Sequence, residues 1–402
     1  MNGRTWEVEH GCPQCGAPVI LEETDRLFQC PFCRVRLYLS TRDYLHYYLS
    51  PQNIDVEDLV YVPYWRFKGI VFFLESLQVG SKFSDATTLA TGFKYFPSTL
   101  GLRPQALRLK FMTPKMKGIF LSYTVSVEEA FNLDVLDMAF IGESTSLIYS
   151  PFIVKGKDIS DVFTGKVIGG LPENKLDVFS GKIKKEDWQA HYLAMLCPAC
   201  GWNLEGERDS CALICKNCSS LWQPSVNGFD RLGFASVKDT GDDMVYLPFW
   251  RIKAHIDRLE LKTYADLIQL ANLPKAIKDA WHGTDLFFWV PAFKVRPELF
   301  LRIGRMVTIS ENKGSLEEGF PSGGYLHPVT LQASEAGESL KIIIAEIVIN
   351  KKKIFPLLKD VNIRIENHLL VYLPFSHTRD ELYNPTMRLT INKNALLFGR
   401  NL

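Results

Sequence analysis

The sequence predicts a β-rich α+β protein made of two tandem repeats, each a short four-cysteine ribbon followed by a mainly antiparallel β-sheet domain. Three observations predict it. Eight of the nine cysteines fall in Cys-x-x-Cys pairs, arranged twice with one spacing. The string VYVPYWRFKG at 60–69 returns as VYLPFWRIKA at 245–254. Short aromatic and β-branched runs bounded by Gly, Pro and Asn fill much of the remaining chain, the composition of strands and turns. The expected units are a ribbon at 1–50, a sheet domain at 51–185, a second ribbon at 186–225 and a second sheet domain at 226–402.

The first ribbon carries Cys12-Pro-Gln-Cys15 and Cys30-Pro-Phe-Cys33, with fourteen residues between the inner cysteines. Two residues between thiolates let one tight turn present both sulfurs to a single ion. Two such turns joined by a hairpin complete a tetrahedral four-thiolate site, which zinc accepts. The second ribbon repeats this at Cys197, Cys200, Cys215 and Cys218, so two zinc ions per chain are expected. Iron also accepts four thiolates and stays open as an alternative. Gly16 and Gly201 follow the second thiolate of each set, where the backbone folds under the metal. Lys216-Asn217 replaces the proline-containing pair of the other three turns. Cys211 has Arg26 as its counterpart and reads as a free thiol. His10 stands near Cys12, but four thiolates already close the site.

After each ribbon comes the Tyr-x-Pro-aromatic-Trp-Arg strand. An offset of 185 carries all four cysteines of the first set, together with Asp58, Tyr61, Pro63, Trp65, Arg66 and Lys68, onto the same residue types without a gap. This is the mark of an internal duplication. Looser echoes extend it: LRPQALRLKFMT (102–113) with VRPELFLRIGRMVT (295–308), and SLIYSPF (146–152) with LLVYLPF (369–375). Alternation along the strand puts Tyr61, Pro63, Trp65 and Phe67 on one face and Val62, Tyr64, Arg66 and Lys68 on the other. The expectation is that the Trp face seats the ribbon, with Arg66 and Arg251 as partly exposed charges at a strand edge. LKIIIAEIVIN (340–350) reads as a strand. Helical spacing is limited to 263–281, around Pro274, and to SVEEAF, where Ser126 and Glu129 suit a capping box.

On these residues the chain resembles bacterial TFIIB-type zinc-ribbon proteins, in which a four-cysteine ribbon precedes a Tyr-x-Pro-Phe-Trp strand. The resemblance covers about sixty residues in each half. It implies zinc at the eight cysteines, and it leaves function open, because ribbons serve transcription factors, ribosomal proteins, helicases and adaptors alike.

At 402 residues with 47% apolar composition, the chain has material for two to three domains and ample core. Lys and Arg number 46 against 45 Asp and Glu, so bulk charge does not draw it to nucleic acid or anionic lipid. The N-terminal stretch lacks the apolar core of a secretory signal. No apolar run is long enough to span a bilayer. Paired cysteines of this kind fit a reducing compartment, and a cytoplasmic location is expected, with membrane association only through a partner.

Catalytic signatures are missing from the sequence. FTGKVIGG has a Gly-Lys, but Ser160 stands where a phosphate loop needs its first glycine. Arg103, Arg108, Lys110, Lys115 and Lys117 form a basic stretch that either tracks a phosphate backbone or is one solvated strand face. YLHYYL at 44–49 reads as core or sheet face. These features together favour a nonenzymatic, zinc-stabilised scaffold or adaptor that binds another protein as part of a larger assembly. The alternatives are a nucleic-acid-binding or transcription-linked protein, and an enzyme with its site between the halves.

Overall fold

Long aromatic and β-branched runs become long strands, and the two longest pairs organise everything else. The computed structural model describes residues 6–41, 43–51, 59–101, 107–131, 138–172, 188, 190–237 and 243–399. Asp58 and Arg103 lie outside these residues. The first half contains β1 (Glu7–Gly11), β2 (Pro18–Glu22), β3 (Leu27–Gln29), β4 (Arg36–Ser40), β5 (Leu45–Leu49), β6 (Leu59–Glu75), β7 (Gln78–Leu89), β8 (Leu109–Phe111) and β9 (Ile119–Phe120). The short helix α1 (Val127–Ala130) follows, then β10 (Met138–Lys155), β11 (Asp158–Asp161) and β12 (Val167–Gly170).

The second half runs β13 (His191–Ala194), β14 (Leu213–Cys215), β15 (Ser220–Ser225), β16 (Gly228–Leu232), β17 (Phe234–Val237) and β18 (Met244–Ile256). After α2 (Tyr264–Ala271) come β19 (Phe288–Pro291), α3 (Pro297–Ile309), β20 (Leu316–Glu318) and β21 (Tyr325–Leu326). Three helices, α4 (Ala333–Glu338), α5 (Leu340–Ile347) and α6 (Lys351–Lys359), precede β22 (Ile363–His377), β23 (Glu381–Asn384), β24 (Leu389–Asn392) and α7 (Lys393–Gly399). Among the described residues the fold is β-rich, 44% strand and 16% helix. No helix among the described residues is long and apolar enough to cross a membrane.

A ten-stranded sheet and an eight-stranded sheet carry the two halves, with two three-stranded sheets between them. Their central ladders run in one register. Trp65 faces Leu147 across β10 and Thr88 across β7; Trp250 faces Leu370 across β22 and Val290 across β19. Pro63 faces Tyr149 as Pro248 faces Tyr372. Each indole N–H donates to a carbonyl of the crossing segment, Trp65 to Val125 at 2.7 Å and Trp250 to Leu331 at 2.9 Å. The next residue opens a helix in both places: Ser126 caps α1 and Gln332 caps α4. Both tryptophans are buried, at 1% and 2% exposure.

Four expectations need correction here. LKIIIAEIVIN is mostly helix: α5 buries Leu340, Ile342, Ile343, Ile344, Ala345 and Ile347, and a short apolar run interrupted only by Lys341 and Glu346 does not separate helix from strand by its period. The second Arg-Pro segment is also helical. Pro297 occupies the first turn of α3, where its missing N–H costs nothing, whereas the described part of 102–113 holds the strand β8. The third concerns the seat of the first ribbon. Cys12, Val19, Leu21, Phe28 and Cys30 share a core with Val62 and Tyr64, so the ribbon covers the face opposite Trp65. Trp65 packs instead with Tyr61, Met112, Phe120, Val127 and Tyr149. The helix at 263–281 ends early, at Asn272 in a left-handed conformation, before Pro274.

Candidate metal centres

Each ribbon folds its cysteines through backbone turns that the sequence spacing requires. In the first, Gly16 N donates to Cys12 O at 2.8 Å and Arg34 N to Cys30 O at 2.9 Å; in the second, Gly201 N donates to Cys197 O at 2.8 Å. Gly16 and Gly201 take φ of 74° and 73°, a left-handed conformation that glycine enters without penalty. The other turn of each ribbon asks the same of Arg34 and Ser219, at 61° and 50°. Residues with side chains hold such backbone only where their surroundings fix it.

Cys12, Cys15, Cys30 and Cys33 converge, as do Cys197, Cys200, Cys215 and Cys218, with all four sulfurs of each set within 4.8 Å. Edges measure 3.7 Å for Cys12–Cys33 and Cys15–Cys30, 3.6 Å for Cys197–Cys218 and 3.5 Å for Cys200–Cys215. A tetrahedral ion with sulfur at about 2.3 Å sets its thiolates about 3.8 Å apart, so the donor set and its size fit zinc. The separations are far beyond a disulfide bond. Amides of the turns favour ionisation of one sulfur in each set, Cys30 and Cys197, while their neighbours Cys33 and Cys215 are pushed up to about 12. The Cys33 amide leads in lowering the Cys30 thiol to about 6. Burial opposes ionisation of Cys197, but the amides of Ala199 and Cys200 outweigh it and bring that thiol to about 6.

Around the sulfurs the two sites differ. Trp222 Nε1 donates to Ser220 Oγ at 2.7 Å, and that hydroxyl lies 3.0 Å from Cys218 Sγ, to which it donates when the sulfur is a thiolate. Val35 and Leu37 hold the corresponding places in the first ribbon, so its sulfurs lack this donor. His10 is no ligand: it stacks on Tyr192 with ring centres 5.0 Å apart, and burial lowers its pKa. Cys211 stands outside both tetrads, donates to Val329 O at 3.3 Å, and is held un-ionised by burial.

The ribbons also join the rest differently. β1 and β2 of the first belong to the ten-stranded sheet. Glu23, in the turn after β2, is buried against Arg66 Nη2 at 2.8 Å, and Asp85 meets Nη1 at 2.5 Å. The Trp6 ring covers the guanidinium at 3.7 Å. Arg66 is therefore fully buried, and the expectation of a partly exposed edge charge fails there. Arg251 is half-buried with Phe287 stacked on it at 3.4 Å, nearer to that expectation. The second ribbon leans on the first: β13 pairs with β4, and Ser40 Oγ donates to Ser225 O at 3.0 Å. Arg208, which has Glu23 as its counterpart, reaches Asp25 at 2.5 Å.

Between the ribbons and the 320–329 segment lies a cleft of about 1490 Å³, bordered by Val19, Ile20, Phe28, Ile214, Tyr325 and Val329 among others. The cysteine spacing marked the ligands; Glu23, Asp85, Trp6 and Ser220 had no comparable signal. Of the basic stretch, Arg108 pairs with Glu7 at 3.0 Å and Lys110 lies 3.7 Å from Glu9. Compared with known proteins, the chain matches no family model, no curated protein and no solved structure.

Proposed function

We propose that the protein is a nonenzymatic scaffold that binds another protein, with one structural zinc ion in each ribbon. The observation that carries this reading is a pair of four-sulfur sites flanking one large cleft. Four thiolates saturate a tetrahedral ion and leave no position for a substrate, so the metal serves folding. The cleft wall is mostly apolar, and Ile20 and Tyr325 stand 48% and 53% exposed on it. Covering such surface releases water, the usual driving force of association.

The halves read as an internal duplication, with units at 1–50 with 51–185 and 186–225 with 226–402. The gapless offset in sequence, the common strand register and the matched indole bonds support it. The ribbons are of the TFIIB type on the same residues. Acids opposite Arg108 and Lys110 favour a protein partner over nucleic acid, since they offset the charge that would meet phosphate. Two measurements test the proposal. Metal analysis should return two zinc ions per chain, and one ion or iron alone would count against it. An Ile20→Asp, Tyr325→Asp double variant should lose its partners from native cells while melting like the wild type. Undiminished capture, or a nucleic-acid mobility shift that weakens steeply with salt, would overturn it.

A further inference from the structure

The hairpin of β6 and β7 ends in a sheet edge that the described residues leave open. Two hydrogen bonds set the phase of that edge. Ala90 N donates to Pro63 O at 3.0 Å, continuing the ladder in which Tyr64 faces Leu89, so even-numbered residues of β7 turn their backbone groups toward β6. Leu89 N donates away from β6, to Ser98 O at 2.9 Å, so odd-numbered residues face outward. Near the base this outer side is occupied: Leu100 N donates to Thr87 Oγ1 at 3.0 Å. Beyond it, Val79, Ser81, Phe83 and Asp85 offer outward N–H and C=O groups that bond nothing among the described residues. Phe83 stands 56% exposed there.

The chain closes another edge of the same sheet with care. On β2 the bonds from Glu23 N to Trp6 O and from Cys12 N to Ala17 O leave Pro18, Ile20 and Glu22 facing outward. Pro18 has no N–H. Both groups of Glu22 are taken by Asp25, at 2.8 Å to Oδ2 and 3.0 Å from its amide. Proline and self-bonded turns are the devices that keep an edge from pairing. β7 has neither, only Lys82.

We propose that β7 pairs with β7 of a second copy of this chain, giving a two-fold dimer with one sheet running through both subunits. Free backbone groups on a strand edge are complemented best by another strand, and a two-fold axis brings an edge to itself in antiparallel sense. The phase requires odd residues to face odd ones. Pairing about Lys82 sets two like charges directly opposite, which is unfavourable. Pairing about Ser84 meets the occupied Thr87 already at Ser81 and leaves only the Phe83–Asp85 pairs, whereas pairing about Phe83 meets it one pair later, at Val79. Pairing about Phe83 sets Phe83 on its own copy, Ser81 on Asp85 and Lys82 on Ser84, with aromatic burial and charge against hydroxyl. Each outward pair exchanges two hydrogen bonds. Charge and the covered base therefore select one register.

Sedimentation of the metal-loaded full chain tests this. The expected result is a species of twice the chain mass, converted to monomer by Phe83→Lys, which sets like charges on the axis, and by Ser81→Pro. Proline at this outward position leaves the bonds to β6 intact. Should either variant fold poorly, a cysteine pair decides. Facing residues in such a pair lie about 5.5 Å apart, within disulfide range, so F83C should cross-link under mild oxidation. S84C should not, because Ser84 faces Lys82. A wild-type monomer at all concentrations, a dimer that persists in both substitutions, or cross-linking by S84C in place of F83C would each overturn the proposal.

Discussion

Arg66 and Arg251 occupy one place in two strands of one motif, and their surroundings are opposite. Arg66 is buried between Glu23 and Asp85 with Trp6 over its plane. At the places matching Glu23 and Asp85, the second half has Arg208 and Phe287. Arg251 stacks on that phenylalanine, and burial lowers its pKa. The difference teaches that a repeated string fixes a strand and its register but not the fate of its charge. The acids that hold Arg66 come from a ribbon turn and a neighbouring strand. Through them the first ribbon is tied to its sheet by an ion pair that water does not reach. The second ribbon leans on the first and leaves its own arginine to an aromatic ring.

Metal loss should separate the two ribbons most. A structural zinc ion supplies on the order of 10 kcal/mol to a fold of this size. In Cys30→Ser, collapse of the first ribbon withdraws Glu23 and leaves the buried Arg66 with Asp85 as its one acid partner among those described. Hydrogen exchange should then quicken in β6 and β10 as well as in the ribbon. Cys215→Ser should leave β6 and β10 protected and quicken exchange around β14, β15 and the β13–β4 contact. Equal exchange of β6 in the two variants would erase the distinction.

Glu23→Ala isolates the ion pair without touching a ligand. Removing one member of a buried pair typically costs about 3–5 kcal/mol; Asp85 stays beside Arg66 here, so the cost should fall at the lower end of that range. Arg208→Ala, at the matching position, breaks a pair whose arginine is 63% exposed; Asp25, 5% exposed, keeps the Glu22 amide as a donor, so the cost should be smaller than that of Glu23→Ala. Urea midpoints compare them directly. Changing both partners, Glu23→Ala with Arg66→Met, should recover part of the loss. If the two single variants are equally stable, Arg66 is not the tie between ribbon and sheet.

The sequence made the metal sites legible because thiolate spacing reports local turn geometry, which nothing distant can alter. Burial of Trp65 and Trp250 followed from strand alternation for the same reason. Alternation names two faces, however, and does not say which one a ribbon covers; Val62 and Tyr64 took that role. Glu23 lies 43 residues from Arg66, so no local pattern joined them. α5 was misread because the β-branched run Ile342 to Ile344 looks like a buried strand, and only Lys341 and Glu346 interrupt the apolar surface. α3 had a usable signal, Pro297 followed by Glu298 at a helix start, that the strand-like echo in the first half obscured.

Ser220→Ala should sharpen the comparison at the sulfurs. Hydrogen bonds to ligand atoms from outside the coordination set typically change metal affinity 10–100-fold. Ser220 donates to Cys218, and the first site has Val35 instead. Competition with a coloured chelator should therefore show two classes of ion in the wild type, with the slower class weakened by the substitution. Trp222→Phe should act in the same direction, since it releases the hydroxyl from its fixed orientation. Two indistinguishable ions before and after substitution would make the sites equivalent.

The smallest effect concerns the cation beside Arg251. Burial, with Arg251 and Lys275 adding to it, lowers Lys313 from 10.5 to about 7. Its ammonium donates to Ser310 O at the end of α3. The unfolded chain keeps this proton up to its ordinary range, while the folded chain releases it near neutrality. Between those limits the unfolded state binds more protons, so this group makes stability rise with pH, and its penalty is complete below about pH 7. Lys313→Met removes the penalty. Allowing for its partial exposure, the gain should be about 1 kcal/mol at pH 6.5 and should close as pH approaches 10. Denaturation midpoints of the variant and wild type at several pH values measure the gap, and a gap constant with pH would mean that no cation is held down beside Arg251.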